Sequence, residues 1–191
     1  MKAINSRVFV KNMVCNRCIK VIKTELKKHG IDFINIDFGS IYFDHELSKE
    51  KKEKLQGILL KEGFELLEDK EATIINQIKI AVIEAIHHGK GKSVSQNYSD
   101  YLSEKISINY TQLSKIFSHA EHRSIEHFII AQKIERAKEL LIYGEMTLSQ
   151  ISYELDYSSP QHLSRQFKQV TGITASVFKK IGGERRKLDT I

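Results

Sequence analysis

The sequence predicts two folds in series: an α+β domain of element order βαββαβ over residues 1–70, then an all-α domain over residues 73–183. Three observations predict this. Apolar residues alternate between strand and helix spacing as far as Leu67, and from Ile74 onward only helical spacing occurs. A short motif occurs twice, fifty positions apart, as Leu113-Ser114-Lys115-Ile116-Phe117 and Leu163-Ser164-Arg165-Gln166-Phe167. The chain's two cysteines, Cys15 and Cys18, stand together where a strand pattern gives way to a helix pattern.

In the first domain, Val8 and Val10 share one face of a strand that runs up to Met13. Ile19, Val21, Ile22 and Leu26 then mark an amphipathic helix ending at Gly30. Ile34, Ile36 and Phe38 alternate again, Phe38-Gly39-Ser40 has the composition of a hairpin turn, and Ile41 with Phe43 continue as the returning strand. Leu55, Ile58 and Leu59 form a helical stripe before Gly63, and Phe64 to Leu67 make a last short strand. This order is the ferredoxin-like split βαβ unit. The charged stretch Glu68-Asp69-Lys70-Glu71 places the boundary near residues 69–73.

The second domain reads as helix, turn, helix, twice: residues 98–105 with 110–119, and residues 148–155 with 160–171. Gly and polar clusters separate them, at His88-Gly89-Lys90-Gly91-Lys92-Ser93, Ile106-Ser107-Ile108-Asn109, Tyr143-Gly144 and Tyr157-Ser158-Ser159. A long helix over 125–143 joins the pairs, with Phe128, Ile129, Ala131, Ile134, Ala137, Leu140 and Leu141 expected inside. At 1.5 Å per residue it spans roughly 28 Å, close to the ~34 Å between successive major-groove faces of a duplex. Pro160, the one proline, falls in a first helical turn, where its missing N–H costs nothing. In each copy of the motif Leu and Phe lie four apart and share a buried face, which turns the cation between them outward.

Net charge is +6 with a pI near 9.2. It is evenly spread, with 14 Lys and Arg against 11 Asp and Glu in residues 1–70 and 16 against 13 in the rest. The excess is compatible with a polyanionic partner but does not require one. The first seven residues lack an apolar signal region, and no apolar run approaches the roughly 20 residues that span a bilayer. A cytoplasmic protein with no membrane partner is therefore expected. No phosphate loop, nucleophile elbow or framed carboxylate pair is present, so an enzyme is not expected. His87 and His88, beside Gly89, are expected to serve the dipole of a helix C-terminus. Glu184-Arg185-Arg186-Lys187 reads as a solvated tail, with phosphate contact as the alternative.

The stretch Ile134-Glu135-Arg136-Ala137-Lys138-Glu139-Leu140-Leu141, the run from Leu148 to Lys168 through Asp156-Tyr157-Ser158-Ser159-Pro160, and Thr171-Gly172-Ile173-Thr174 follow one another in order. Together they resemble the AraC family of bacterial transcription regulators, over about residues 74–181. The resemblance implies two helix-turn-helix motifs that bind double-stranded operator DNA through recognition helices at 110–119 and 160–171. Its base-facing positions fall on Thr111, Gln112, Ser114 and Lys115, and on Gln161, His162 and Arg165. Ser158, Ser159 and Lys168 are placed for phosphates. The chemistry suits these roles: Arg or Lys donates to guanine O6 and N7, and Gln pairs two-pronged with adenine. Arg165 is expected to carry more base discrimination and Lys115 more phosphate affinity. The bland alternatives are solvated surface charges at Lys115 and Arg165 and a packing role for His162; Leu113, Phe117, Leu163 and Phe167 are core. Asp156-Tyr157 stands where the family has Gly-Phe, and Thr174-Ala175 where it has Thr-Pro.

At Met13-Val14-Cys15-Asn16-Arg17-Cys18 the second thiol falls in a first helical turn, where the positive helix end is expected to lower its pKa and favour the metal-binding thiolate. Two soft sulfurs suit Cu(I), or Hg(II) and Cd(II) by the same softness. Four-coordinate zinc needs two more ligands, and in a ferredoxin-like trace His29 and His45 fall at the opposite sheet edge. Met13 is expected to anchor the loop in the core. Residues 7–69 resemble the heavy-metal-associated domain of copper chaperones and copper ATPases, by the Met-x-Cys-x-x-Cys loop, the element order and Gly63-Phe64; Asn12 replaces that family's Gly. A dithiol redox switch, and a relic site on a domain kept for dimerisation, stay open beside metal binding. The whole reads as a DNA-binding transcription regulator responsive to a soft metal such as Cu(I) at Cys15 and Cys18. Two alternatives stand beside it: metal trafficking, with copper passed to a partner protein, and a constitutive regulator whose first domain makes a homodimer.

Overall fold

The computed structural model describes residues 6–67, 69–93, 96–181 and 188. The first five residues and Glu68 of the first predicted domain, the predicted end at 183 and the tail Glu184-Arg185-Arg186-Lys187 lie outside the described residues. The chain divides into two compact units, Met1–Ile80 and Ala81–Ile191, and the division falls inside one helix, Lys70–His87.

The first unit runs β1 (Ser6–Lys11), α1 (Asn16–Lys28), β2 (Asn35–Asp37), β3 (Ser40–Phe43), α2 (Lys49–Lys61), β4 (Glu65–Leu67) and the start of α3 (Lys70–His87). Its sheet has the order β2-β3-β1-β4 and is antiparallel throughout, with Val8 opposite Ile41, Ile36 opposite Ile41 and Val10 opposite Leu66. The alternation that predicted strands places Val10, Ile36, Ile41 and Phe43 in a core shared with Ile22 and Leu26 of α1 and Leu55 and Leu59 of α2. Each such side chain contributes about 1.5–3 kcal/mol by leaving water. Gly39, at φ 71°, closes the hairpin between Asp37 and Ser40. A side chain there would meet Ile80 at 3.1 Å and Asn76 at 3.2 Å, so the glycine admits α3 against the turn. Asn76, itself buried, donates through Nδ2 to the Val10 carbonyl at 3.2 Å.

The second unit continues α3 and adds α4 (Tyr98–Ile106), α5 (Tyr110–Glu121), α6 (Ile125–Tyr143), α7 (Leu148–Glu154), α8 (Pro160–Thr171) and α9 (Ala175–Ile181). The helices expected at 125–143 and 160–171 occur with those bounds, because side-chain caps start them and left-handed residues stop them. Ser124 and Ser159 accept from the backbone N–H of His127 and His162, and Gly144 and Gly172 end the helices at φ 74° and 80°. α7 opens with a reciprocal capping box between Thr147 and Gln150.

Three expectations need correction. First, α6 buries polar residues as well as its apolar stripe: Gln132, Glu135 and Lys138 are closed off, whereas Ala131 is only half-buried. A helix packed by α5, α7, α8 and α9 on several sides has no fully wet face. Second, His87 is no charged partner of a helix dipole. Burial lowers its pKa to about 4, and its Nε2 lies 2.9 Å from Gln132 Oε1, so the ring is held neutral. Third, the internal repeat extends beyond the five-residue motif. At the same offset of fifty, Asn109 and Ser159 cap helices, His122 and Gly172 end them in the left-handed region, and Phe128 and Phe178 follow. Phe117 packs on Phe128 with centroids 5.6 Å apart, and Phe167 on Phe178 at 5.5 Å. α9, which the spacing alone does not predict, therefore stands to the second copy as the start of α6 stands to the first.

Candidate nucleic-acid interface and thiol loop

The two predicted recognition helices are α5 and α8, and both pack on α6. Leu113, Phe117, Leu163 and Phe167 are fully buried, which fixes the rotation of each helix and turns the intervening positions outward. Thr111, Gln112 and Lys115 are exposed on α5, with Ser114 half-buried. Gln161, His162, Arg165 and Lys168 are exposed on α8. The side chains of Lys115, Arg165 and Lys168 have no hydrogen-bond or ion-pair partner among the described residues. The buried Leu and Phe therefore leave one unpaired cation at the same place in each copy.

The turn before α8 is more occupied than that face. Asp156 sits in the left-handed region at φ 52°, a conformation that Asp adopts more readily than most L-residues. Ser159 Oγ caps α8, accepting from His162 N at 3.1 Å. Ser158 Oγ lies 3.0 Å from His162 Nδ1, and the imidazole meets the Tyr157 ring in T-shaped fashion with centroids 5.2 Å apart. His162 is thus exposed yet held by two neighbours, so its ring is oriented before any ligand arrives. On the first copy, Tyr110 donates to the Glu126 carboxylate at the start of α6, and burial, then that carboxylate, raises the phenol's pKa. No motif marks Tyr110; its signal is a tyrosine at a first helical position with an acid sixteen residues on, in the first turn of the next helix.

In the first unit the loop after β1 is pinned at several points. Asn12 takes φ 71°, and its Nδ2 donates to the Gly63 carbonyl at 3.0 Å, so it reproduces a glycine's backbone and adds a tether. Met13 is fully buried in the core, where the sequence placed it. Cys15 occupies the N-cap of α1 and Cys18 its third residue, with the sulfurs 3.3 Å apart and both side chains half-buried. The expected lowering of the Cys18 pKa does not occur. Burial raises it, the neighbouring Cys15 sulfur adds to the rise, and backbone hydrogen bonds at Val14 and Cys15 only partly offset it. No group of three or more His, Cys, Asp or Glu that could hold a metal occurs among the described residues. His45 follows the far end of β3 from the Gly39 turn and contacts Asp44 at 2.7 Å.

Residues 102–181 match the family model described as a helix-turn-helix domain. The xylose operon regulatory protein of Escherichia coli strain K12 is 25% identical over 140 residues, covering 73% of this chain and 36% of that protein. The Msm operon regulatory protein of Streptococcus mutans serotype c is 27% identical over 106 residues, covering 56% of this chain and 36% of its own length. The chain thus spans 36% of the length of these curated relatives. Among solved structures, the C-terminal domain of AraT, a response regulator from Geobacillus stearothermophilus, superposes with a TM-score of 0.50 at 15% identity, covering 62% of this chain and 92% of that one. No helix among the described residues is long and apolar enough to cross a membrane. Residues 102–181 thus match a helix-turn-helix family model and lie within a helical fold like that of the AraT C-terminal domain.

Proposed function

We propose that the protein is a sequence-specific DNA-binding transcription regulator that reads duplex DNA through α5 and α8. The observation that carries this is the repeated placement of an unpartnered cation, Lys115 and Arg165, on the outer face of two capped helices packed on the common α6. Such a face meets two needs of a duplex: side-chain donors for base edges, and cations for phosphates. Thr111, Gln112, Ser114, Gln161 and His162 accompany the two cations towards the bases, and Ser158, Ser159 and Lys168 towards the backbone. The matched relatives, named as operon regulatory proteins, support the same reading. The test is a duplex selected by the wild-type protein from a random pool, titrated with wild type and Arg165→Ala at two salt concentrations. Wild type is expected to prefer the selected duplex over bulk DNA, and Arg165→Ala to lose much of that preference. Equal affinity of wild type for selected and random duplexes would sink the reading.

The first unit is proposed as a ferredoxin-like domain that binds a soft metal. The antiparallel order β2-β3-β1-β4 and the paired thiols support it. The donor set fits a two-coordinate thiophilic ion such as Cu(I), held by Cys15 and Cys18, and does not fit four-coordinate zinc, for which no further ligands stand in a group with the thiols among the described residues. Cys15 and Cys18 would hold such an ion through their thiolates, and its binding would change the charge of the loop. Asn12 and Met13 hold the loop that carries the first thiol. Operator titrations with and without Cu(I) test a regulatory role: Cys15→Ser with Cys18→Ser is expected to bind DNA as wild type does without copper and to lose any response to it. A copper response that survives the double substitution removes the thiols from the mechanism. Transfer of copper to a partner protein, or a first unit that only dimerises the chain, would instead leave DNA binding indifferent to copper, and sedimentation of the full chain separates these two.

A further inference from the structure

The second unit holds a cleft of ≈200 Å³, walled by Ile86, Leu155 and the Tyr98 ring and reached by Lys92, Lys133 and Asp156. Its two lysines are unequal. The Lys92 ammonium donates to the carbonyls of Ser93 at 3.0 Å and Gln96 at 2.8 Å and pairs with Asp156 Oδ2 at 3.1 Å, so its three N–H groups are all taken. Among the described residues Lys133 donates only to the Asp156 carbonyl, at a long 3.4 Å. Otherwise its ammonium lies over two tyrosine faces, 5.7 Å from the centroid of Tyr98 and 5.1 Å from that of Tyr157. The Tyr157 hydroxyl on that second ring is buried without a hydrogen-bond partner among the described residues. Burial, reinforced by the charge of Lys92 and opposed by that of Asp156, holds the Lys133 ammonium below the usual lysine range. A half-buried cation with two donors unanswered and no carboxylate of its own is costly.

We propose that this cleft binds a small organic monocarboxylate, its carboxylate on Lys133 and its apolar body against Tyr98, Ile86 and Leu155. The carboxylate supplies the acceptors that Lys133 lacks, in a charge-assisted bond. The body is compact, because the space is smaller than the roughly 300–1,000 Å³ of drug-sized pockets. A single charge is selected, because Asp156 already neutralises Lys92 and the acidic residue Glu154 is also part of the lining, which penalises a second negative group. The inference stands apart from DNA and metal binding, since no residue of the proposed base-reading face or thiol loop lines the cleft.

Benzoate is the probe, with benzamide as its neutral counterpart and phthalate as the dianion, all at constant ionic strength with the full chain. Benzoate is expected to raise the thermal midpoint saturably and to shift the amide resonances of residues 85–92, 133 and 154–157, while benzamide and phthalate do so far less. Lys133→Met is expected to weaken benzoate binding about tenfold or more, and Lys133→Arg to retain it. The proposal is overturned by a response that does not saturate, by benzamide binding as well as benzoate, by Lys133→Met binding like wild type, or by resonance shifts centred elsewhere. If Lys133→Met does not fold, the resonance map of the wild-type chain decides alone.

Discussion

The Lys138 ammonium donates to the Glu135 carboxylate at 2.6 Å in the interior of α6, with only 10% and 4% of the two side chains exposed. The pair lies one turn apart on a helix whose neighbours exclude water, and Lys138 also faces the Phe178 ring at 5.8 Å. Removing Glu135 strands the Lys138 ammonium. Glu135→Ala is expected to cost about 3–5 kcal/mol in urea unfolding, whereas the joint change Glu135→Leu with Lys138→Met is expected to be neutral or stabilising.

His87 makes stability depend on pH. Its pKa is about 4 in the folded chain against about 6.5 unfolded, so between these values the unfolded state binds the extra proton. Stability contributed by the neutral ring is complete above pH 6.5 and is lost as the pH falls towards 4, by roughly 3 kcal/mol in all. His88, Arg136 and Glu139 act on the same ring but more weakly than burial does. His87→Gln, which can still donate to Gln132, is expected to flatten the slope of unfolding free energy between pH 4 and 6.5. An unchanged slope would assign that dependence to carboxylates instead.

Two left-handed residues invite glycine. Ser107, at φ 60°, ends α4 and His122, at φ 54°, ends α5, and both side chains are exposed. Left-handed backbone costs an L-residue about 1–2 kcal/mol, and glycine's extra unfolded-state entropy returns roughly half of that. Ser107→Gly and His122→Gly are each expected to raise stability by about 0.5–1 kcal/mol. Gly172→Ala, at the position matching His122, is expected to lower it by a similar amount; thermal melts of the three variants check the set.

On DNA, the cations are expected to separate by readout. Arg165→Ala should lose about 1–3 kcal/mol on the preferred duplex and relax preference at one base pair. Lys168→Ala should weaken binding evenly across sequences and reduce the salt slope by about 1. Lys115→Ala is expected to resemble Lys168→Ala more than Arg165→Ala. If it relaxes sequence preference further than Arg165→Ala does, the proposed ranking of the two copies is reversed.

α6 and α8 were legible because local chemistry marks both their ends: Ser124 and Ser159 at the start, Gly144 and Gly172 at the finish, with apolar residues at helical spacing between. The rotation of the recognition helices was equally legible from Leu and Phe four apart. What escaped depends on neighbours distant in sequence. Gln132 and Glu135 look like wet-face residues until α6 is seen packed on several sides, and His87 looks like a solvated helix end until Gln132 meets it forty-five residues later. Lys133 and Tyr98 gave no signal either, since neither carries a motif and only the fold brings them together. The Cys18 pKa departs from expectation for the same reason: the helix end is visible in the sequence, the burial of the thiol is not.

The contacts of His87 with Gln132 and of Lys92 with Asp156 have a practical bearing on how the C-terminal unit is dissected. The segment that matches the helix-turn-helix family begins at residue 102, after both donors. A fragment cut there would leave Gln132 with an open acceptor in the interior and Asp156 without its Lys92 ion pair beside the turn that launches α8. A piece that keeps both contacts starts upstream of His87, near Ala81, so the boundary of the family-model match is not the boundary of the compact unit.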